Sequence, residues 1–547
     1  MHRMGSVSKS IVLIGSLRNI FEFAFMFGVE GVLGFSVREE TVDSMYDIPV
    51  KEIDITETLA LAKKREVFLV VCDANRERWN EIISSNQLKY QEQFLWFEDF
   101  FESLNRFHKE SLGKRQIAIW GVGDTQVNLQ RDLEKRYGEI TISCYIDGND
   151  DSTAGELNGR PVYHVSDISD ISKYFIIVAS VYYFEIKDRL QEMGLREDID
   201  FLPFSAFKTN PREMMKTLVS APQREEFYCT NPYTFFYYAW HDTYPCCSTW
   251  VRYPIGNPMT DPPEACWNSV VAKMFRLSVE NHTYCFCIPE ACEIWEAHIK
   301  HPKPKTWEVP KSIVLGLDYT CNLYCSSCRN EQQIATGGQL SLREDMAERI
   351  IRTGWLEKAD TLELSGTGEA LFSKVDRKIL FSNVQQRKSI ILYTNGLLLN
   401  RENCELLARR YEKIGVKISF DATKEETYRK IRRGGDWNRL MENLKIVSEY
   451  RKTNRFHYVE IRMVVQRDNY KEIPDFIKMC HAFRFDKVHL AKMLNWNMYS
   501  DEDYYYASMI DRDGRMDEDL RRIFDMPELR EPVVIKTQFL RYLLKKD

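Results

Sequence analysis

Leu317-Asp318-Tyr319-Thr320-Cys321-Asn322-Leu323-Tyr324-Cys325-Ser326-Ser327-Cys328 places three cysteines within eight residues, in the spacing C-x3-C-x2-C. Thiolates are soft ligands that suit iron–sulfur clusters. Three of them hold three corners of a [4Fe–4S] cube and leave one iron open to a substrate or cofactor. A structural zinc site would close with four ligands, commonly as paired short spacings, and no fourth cysteine follows within that reach.

The rest of the composition narrows the setting. The 547 residues suffice for three or four domains, and a hydrophobic share of 44% with 29% charged residues is that of a globular chain. Net charge is −6 with no basic stripe, which argues against nucleic acid as a partner. The apolar stretch from Ile11 to Phe35 is interrupted by Arg18, Glu22 and Glu30, so it reads as strand–helix–strand and not as a membrane or signal segment. A cytoplasmic protein is expected. Fourteen cysteines are spread unevenly: seven lie between Cys229 and Cys292, three form the triplet, and Cys72, Cys144, Cys404 and Cys480 stand alone. Clustering favours metal over disulfides, and the isolated four read as small buried hydrophobes.

The first 210 residues read as a repeat offset by about 107 positions. Ile11-Val12-Leu13-Ile14-Gly15 aligns with Ile117-Ala118-Ile119-Trp120-Gly121, Pro49-Val50, with a small insertion, with Pro161-Val162, Phe68-Leu69-Val70-Val71 with Phe175-Ile176-Ile177-Val178, and Phe94-Leu95-Trp96-Phe97 with Phe201-Leu202-Pro203-Phe204. Short apolar runs alternating with helical patterns predict two tandem Rossmann-like lobes, 1–112 and 113–212. The second carries Gly121-Val122-Gly123-Asp124 after a strand and Asp147 at the end of the next one, but Gln126 replaces the third glycine of the dinucleotide fingerprint. Binding of a nucleotide or nucleotide-sugar there, and recognition of a substrate or partner without a nucleotide, both stay open.

From the triplet onward, strands are expected near Ser312–Asp318, Thr361–Ser365, Ser389–Thr394, Val416–Phe420, Val459–Val465 and Lys487–Leu490, with amphipathic helices between them. In parallel α/β barrels the chemistry gathers at the carboxyl ends of strands. Those ends carry Ser365-Gly366-Thr367-Gly368-Glu369, Thr394-Asn395-Gly396 and Ser419-Phe420-Asp421-Ala422. Glycines let backbone approach a ligand, and a carboxylate accepts from an ammonium. In this order, behind C-x3-C-x2-C, the series resembles the radical S-adenosylmethionine (radical SAM) enzymes over about 305–500. The resemblance implies a [4Fe–4S] cluster on Cys321, Cys325 and Cys328 whose open iron chelates SAM. It implies SAM contacts from Gly366, Thr367, Gly368, Glu369, Asn395, Ser419, Asp421 and Arg462. The residue before the third cysteine, often aromatic in that family, is Ser327 here, leaving Tyr324 and Tyr393 as candidates to pack the adenine.

Thr427 through Gly435, Trp437, Asn443-Leu444, Arg462 through Gln466 and Asn469 through Pro474 resemble the subgroup named for its SPASM domain. Upstream, Cys229, Tyr244-Pro245-Cys246-Cys247, Ile255-Gly256-Asn257, Cys266-Trp267-Asn268-Ser269 and Cys285-Phe286-Cys287 with Cys292 look like that domain itself, placed before the core although it follows it in most relatives. The resemblance implies one auxiliary [4Fe–4S] cluster on Cys229, Cys246, Cys287 and Cys292. Cys247 is the alternative to Cys246, Cys285 the alternative to Cys287, and zinc the rival metal.

The expected architecture is α/β: the two lobes, a small cysteine-rich SPASM-like domain over 213–302, a partial (β/α)6 TIM-like barrel over 303–500 and a tail over 501–547. The expected activity is hydrogen abstraction from a polar small molecule, sugar or nucleotide-sugar, with dehydrogenation or epimerisation as outcome and a flavodoxin- or ferredoxin-type reductant as partner. Maturation of a ribosomal peptide is the alternative, and a non-catalytic iron–sulfur sensor or scaffold a third. The sequence singles out no catalytic side chain.

Overall fold

The computed structural model describes residues 10–16, 32–37, 51–73, 76–97, 115–121, 142–148, 155–180, 183–197, 200–203, 228–280, 282–296, 308–364, 367–382, 387–496 and 498–536, with a few isolated positions between and beyond them. Two compact units form: Met1–Glu225 with Asn268–Cys285, and Glu226–Trp267 with Phe286–Asp547. Among the described residues no helix is long and apolar enough to cross a membrane.

Among the described residues the first unit holds two sheets. One contains β1 (Ser10–Gly15), β2 (Val32–Val37), β3 (Val67–Cys72) and β4 (Phe94–Trp96) in the order β2-β1-β3-β4. The other contains β5 (Gln116–Trp120), β6 (Ile142–Asp147), β7 (Gly155–Leu157), β8 (Arg160–His164), β9 (Tyr174–Val178) and β10 (Phe201–Pro203) in the order β10-β9-β5-β6-β8-β7. Four parallel strands thus recur with the same connectivity, β1, β2, β3 and β4 matching β5, β6, β9 and β10. The match reaches single atoms. Gly15 and Gly121 both have φ in the region that side chains avoid, and a Cβ on either would strike the carbonyl group of the neighbouring strand's end, Cys72 or Ala179. Pro49-Val50 and residues 122–126 lie outside the described residues.

In the second unit the six expected strands are β13 (Ser312–Gly316), β14 (Thr361–Leu364), β15 (Arg387–Thr394), β16 (Tyr411–Ser419), β17 (Tyr458–Val465) and β18 (Lys487–Lys492), paired in sequence order and all parallel. The sheet continues past both edges. β11 (Phe235–Ala239), from the cysteine-rich stretch, pairs parallel with β13, β12 (Thr243–Tyr244) turns back on it, and β19 (Val534–Ile535) pairs with β18. Among the described residues three further strands therefore join the expected six. The aromatic run Phe235-Phe236-Tyr237-Tyr238 suits a strand, and pairing it covers an edge of β13 whose backbone groups would otherwise be open.

One face of this sheet is apolar: Leu362, Leu364, Ile390, Leu392, Val416, Ile418, Ile461, Met463, Val488 and Leu490 are all buried. The alternate positions, Glu363, Tyr393, Lys417, Ser419, Glu460, Arg462 and His489, point to the other face by the two-residue period of a strand. Laid flat, β13 to β18 would span about 24 Å. The carboxyl ends of β14 to β18 instead line one cavity with the cysteine loop, so the sheet is curled around it.

Candidate functional site

The cysteine loop is fastened by contacts within the chain. Asp318, buried at the end of β13, accepts from Thr320 N–H (3.1 Å) and Oγ1 (2.9 Å) and from Ser373 Oγ (2.7 Å). The same Ser373 caps the helix Lys374–Phe381. Arg343 donates to the Leu317 carbonyl (2.9 Å) and lies 4.0 Å over the Tyr319 ring. Further along, Tyr324 N–H donates to the Arg433 carbonyl (3.2 Å) and Ser326 N–H to that of Ile431 (2.9 Å).

Cys321, Cys325 and Cys328 all line one cavity of about 390 Å³. Burial pushes the Cys321 thiol up to about 11 and also raises that of Cys325, against which the Arg432 charge works. Arg432 Nη1 donates to Cys325 Sγ (3.6 Å), and Arg329 Nε donates to Cys328 Sγ (3.4 Å).

Around the thiols stand most of the expected SAM contacts. Gly368, Glu369, Asn395, Ser419, Asp421 and Arg462 line the same cavity. Burial raises the Glu369 carboxyl, while Asn395 N–H (2.7 Å), Thr394 Oγ1 (2.8 Å) and Leu371 N–H (3.3 Å) donate to it. Thr367 turns its hydroxyl to the Asp318 carbonyl (3.1 Å) and accepts from Arg329 on its own (2.9 Å). Gly366 lies outside the described residues. Gly368 is glycine because the cysteine loop's backbone is close: a Cβ there would stand 2.5 Å from the Thr320 oxygen and 2.7 Å from that of Asp318. The close approach is thus between two stretches of this chain.

Asp421 sits in left-handed backbone (φ 62°) and is almost fully buried. Val464 N–H donates to its Oδ1 (2.7 Å), and Arg432 Nε pairs with Oδ2 (2.7 Å). Arg462 Nη1 pairs with Glu460 Oε1 (2.7 Å). Tyr324 packs against Gly434 and under Arg433, whereas Tyr393 lines the cavity.

The sequence did not single out Arg329, Arg432 or a polar belt behind the cavity. In that belt Lys417 Nζ donates to Tyr393 Oη (2.8 Å), Arg462 lies 5.2 Å over the Tyr393 ring, and His489 Nδ1 stands 3.3 Å from Glu460 Oε1. Burial raises the Glu363 carboxyl beside them, while Glu460, against its own burial, is held down at about 2 by His489, Arg462 and Lys417. The signal was present: strands of all-parallel sheets read as continuous apolar runs, and Lys417 and Ser419 on β16 with Glu460 and Arg462 on β17 break that rule. Lys492, Leu494 and Trp496 complete the wall, the last two exposed to solvent.

The four proposed auxiliary ligands belong to the second unit. Burial raises the Cys229 thiol to about 11, with the Cys292 charge adding to it. Cys246 is raised further by burial and feels Cys229, Cys287 and Cys247. Asn231 Nδ2 donates to Cys246 Sγ (3.2 Å) and Trp295 N–H to Cys292 Sγ (3.4 Å). Cys285 belongs to the first unit and accepts from Thr283 Oγ1 (3.7 Å). Among the described residues no three His, Cys, Asp or Glu side chains converge on a single ion; in a cube each cysteine takes its own iron. Cys72, Cys144, Cys404 and Cys480 are buried as expected of small hydrophobes.

Comparison with known proteins agrees with this geometry. The radical SAM superfamily profile matches residues 319–480, and the profile called C2185-like, N-terminal, matches 113–199. The antilisterial bacteriocin subtilosin biosynthesis protein AlbA of Bacillus subtilis (strain 168) is 28% identical over 170 residues, 30% of this chain and 36% of that protein. A probable GTP 3′,8-cyclase of Methanocaldococcus jannaschii is 27% identical over 174 residues, 31% of this chain and 55% of its own length. This chain therefore spans roughly a third to a half of those curated relatives. Among solved structures, Streptococcus suis SuiB bound to S-adenosylmethionine aligns with a TM-score of 0.28 at 16% identity, covering 46% of this chain and 51% of that one. Residues 319–480, which hold the three cysteines and most of the strand ends that face them, match the radical SAM superfamily profile, and the chain carries a radical SAM domain there.

Proposed function

We propose that this chain is a radical SAM enzyme acting on a polar small molecule, a sugar or nucleotide-sugar, which it dehydrogenates or epimerises. Cys321, Cys325 and Cys328 would hold the SAM cluster. Glu369 would accept from the SAM ammonium, with Gly366, Thr367, Gly368, Asn395, Ser419, Asp421 and Arg462 around the cofactor. Cys229, Cys246, Cys287 and Cys292 would hold one auxiliary [4Fe–4S] cluster. The residues suit these groups: three thiols share a cavity with a buried carboxylate, and the charges of the other four cysteines reach one another. SAM, cleaved by one electron, supplies a 5′-deoxyadenosyl radical that takes a hydrogen atom from an unactivated carbon. The chain's own part is to orient the substrate and keep water out. The five-part division at 112, 212, 302 and 500, and a flavodoxin- or ferredoxin-type reductant, belong to the same proposal.

The observation that carries the substrate class is the polar belt. Tyr393 and Arg462 line the cavity, backed by Lys417, Glu363 and Glu460, a polar wall suited to hydroxyl groups and wasted on an apolar substrate. A second reading, maturation of a ribosomal peptide, is favoured by the similarity to AlbA. The two separate in one assay, with UDP-glucose and UDP-galactose as one set of probes and a cysteine-containing peptide as the other. Reduced, reconstituted protein is given SAM and each probe in turn. Nucleotide-sugars that raise 5′-deoxyadenosine formation above the substrate-free rate, and pass deuterium from a labelled sugar into it, support the first reading. Stimulation by the peptide alone overturns it.

A further inference from the structure

Each of two cluster thiols faces a guanidinium. Arg432 Nη1 donates to Cys325 Sγ (3.6 Å) and Arg329 Nε to Cys328 Sγ (3.4 Å), whereas Cys321 Sγ accepts from the Leu323 N–H (3.4 Å). Neither arginine is a loose surface side chain. Arg329 is fixed by the carbonyls of Tyr319 (2.6 Å) and Thr367 (2.9 Å). Arg432, 11% exposed, is paired with Asp421 Oδ2 at 2.7 Å. Asp421 is held in turn by Val464 N–H, and Asn469 Nδ2 donates to its carbonyl (3.0 Å). Asp421 has a φ of 62°, a region that Asn tolerates as well as Asp does.

A cube of two ferric and two ferrous irons, four sulfides and three thiolates carries one negative charge, and one added electron makes it two. Hydrogen bonds and positive charge at the sulfurs favour the more negative state, and such bonds are among the levers that set cluster potentials. We propose that Arg329 and Arg432 raise the reduction potential of the cube on Cys321, Cys325 and Cys328, and that Asp421 limits the contribution of Arg432. This rests on the cluster reading above. The two arginines are positioning residues: they act through the thiolates. Arg329, whose fixed partners are carbonyls, brings a full charge. Arg432 brings a charge offset by the buried carboxylate, so removing that carboxylate unmasks it. The signs are therefore opposite: Arg329→Gln and Arg432→Gln lower the potential, and Asp421→Asn raises it.

The test is an anaerobic redox titration of reconstituted protein, reading the reduced-cluster EPR signal that changes when SAM is added, with iron and sulfide measured on each sample. At full iron content, each Gln variant is expected to shift the one-electron reduction equilibrium about tenfold toward the oxidised form, equivalent to 59 mV, and Asp421→Asn is expected to shift it the other way. Arg432→Lys, which keeps the charge, should fall closer to the wild type than Arg432→Gln. Unchanged midpoints at full iron would overturn the proposal while leaving the cluster reading intact. A wild-type protein with no SAM-responsive signal would overturn both. If Arg432→Gln takes up no iron, Arg329→Gln and Asp421→Asn still decide it through the opposite signs of their shifts.

Discussion

At the residue scale the site is a set of buried groups that satisfy one another. Glu369 shows this best: three donors from β15 and its own loop converge on a carboxylate whose pKa burial raises. Glu369→Gln puts an NH₂ against donors, so SAM affinity should fall about tenfold, about 1.4 kcal/mol. Equilibrium dialysis with labelled SAM at unchanged iron content checks this. Glu460 gives a prediction in pH. A carboxylate lowered from 4.5 to about 2 contributes its full stabilisation above about pH 4.5 and loses it as pH falls toward about 2. In urea unfolding of metal-free protein, Glu460→Gln should be clearly less stable than wild type at neutral pH, with the gap closing through that window. The cysteine triplet, Glu369 and Asn395 were legible in the sequence because each sits where a strand ends and carries chemistry that a bare turn does not need. Arg432 was not: it lies in a run of four basic residues within five positions, Arg429 to Arg433, and only folding shows which one reaches the Cys325 thiol. Gly368 was legible as a close approach, but what comes close is the loop holding the cysteines.

At the scale of elements, the apolar runs of β13 to β18 marked themselves by length, composition and the helices between them, and so did the repeat in the first unit. The equivalence of Gly15 and Gly121 leads to a paired prediction. Alanine at either position must move the adjoining strand's carbonyl, so Gly15→Ala and Gly121→Ala should each cost about 2 kcal/mol. Thermal unfolding of the two variants measures it; a neutral effect at one position alone would break the equivalence. β11, β12 and β19 were missed for a physical reason. Two to five residues long, they are defined by the sheet edge they cover and carry little periodic pattern of their own. The same edge pairing makes Phe235–Ala239, which precedes the radical SAM match in the chain, part of the sheet whose strand ends face the cavity.

At the scale of the whole molecule two clusters with different tasks are proposed. Removing one auxiliary ligand separates them. Cys292→Ala should lower iron toward half while leaving SAM binding in place, and unchanged iron would mean that the auxiliary ligands are other cysteines. The central claim, that Cys321, Cys325 and Cys328 hold an open cluster that cleaves SAM, is tested most directly by assaying iron, sulfide and zinc in anaerobically reconstituted protein and then adding dithionite and SAM to the same tube. The account predicts about eight irons per chain, 5′-deoxyadenosine from the wild type and none from Cys325→Ala. Full 5′-deoxyadenosine formation by Cys325→Ala, or its absence from an iron-replete wild type, would contradict it.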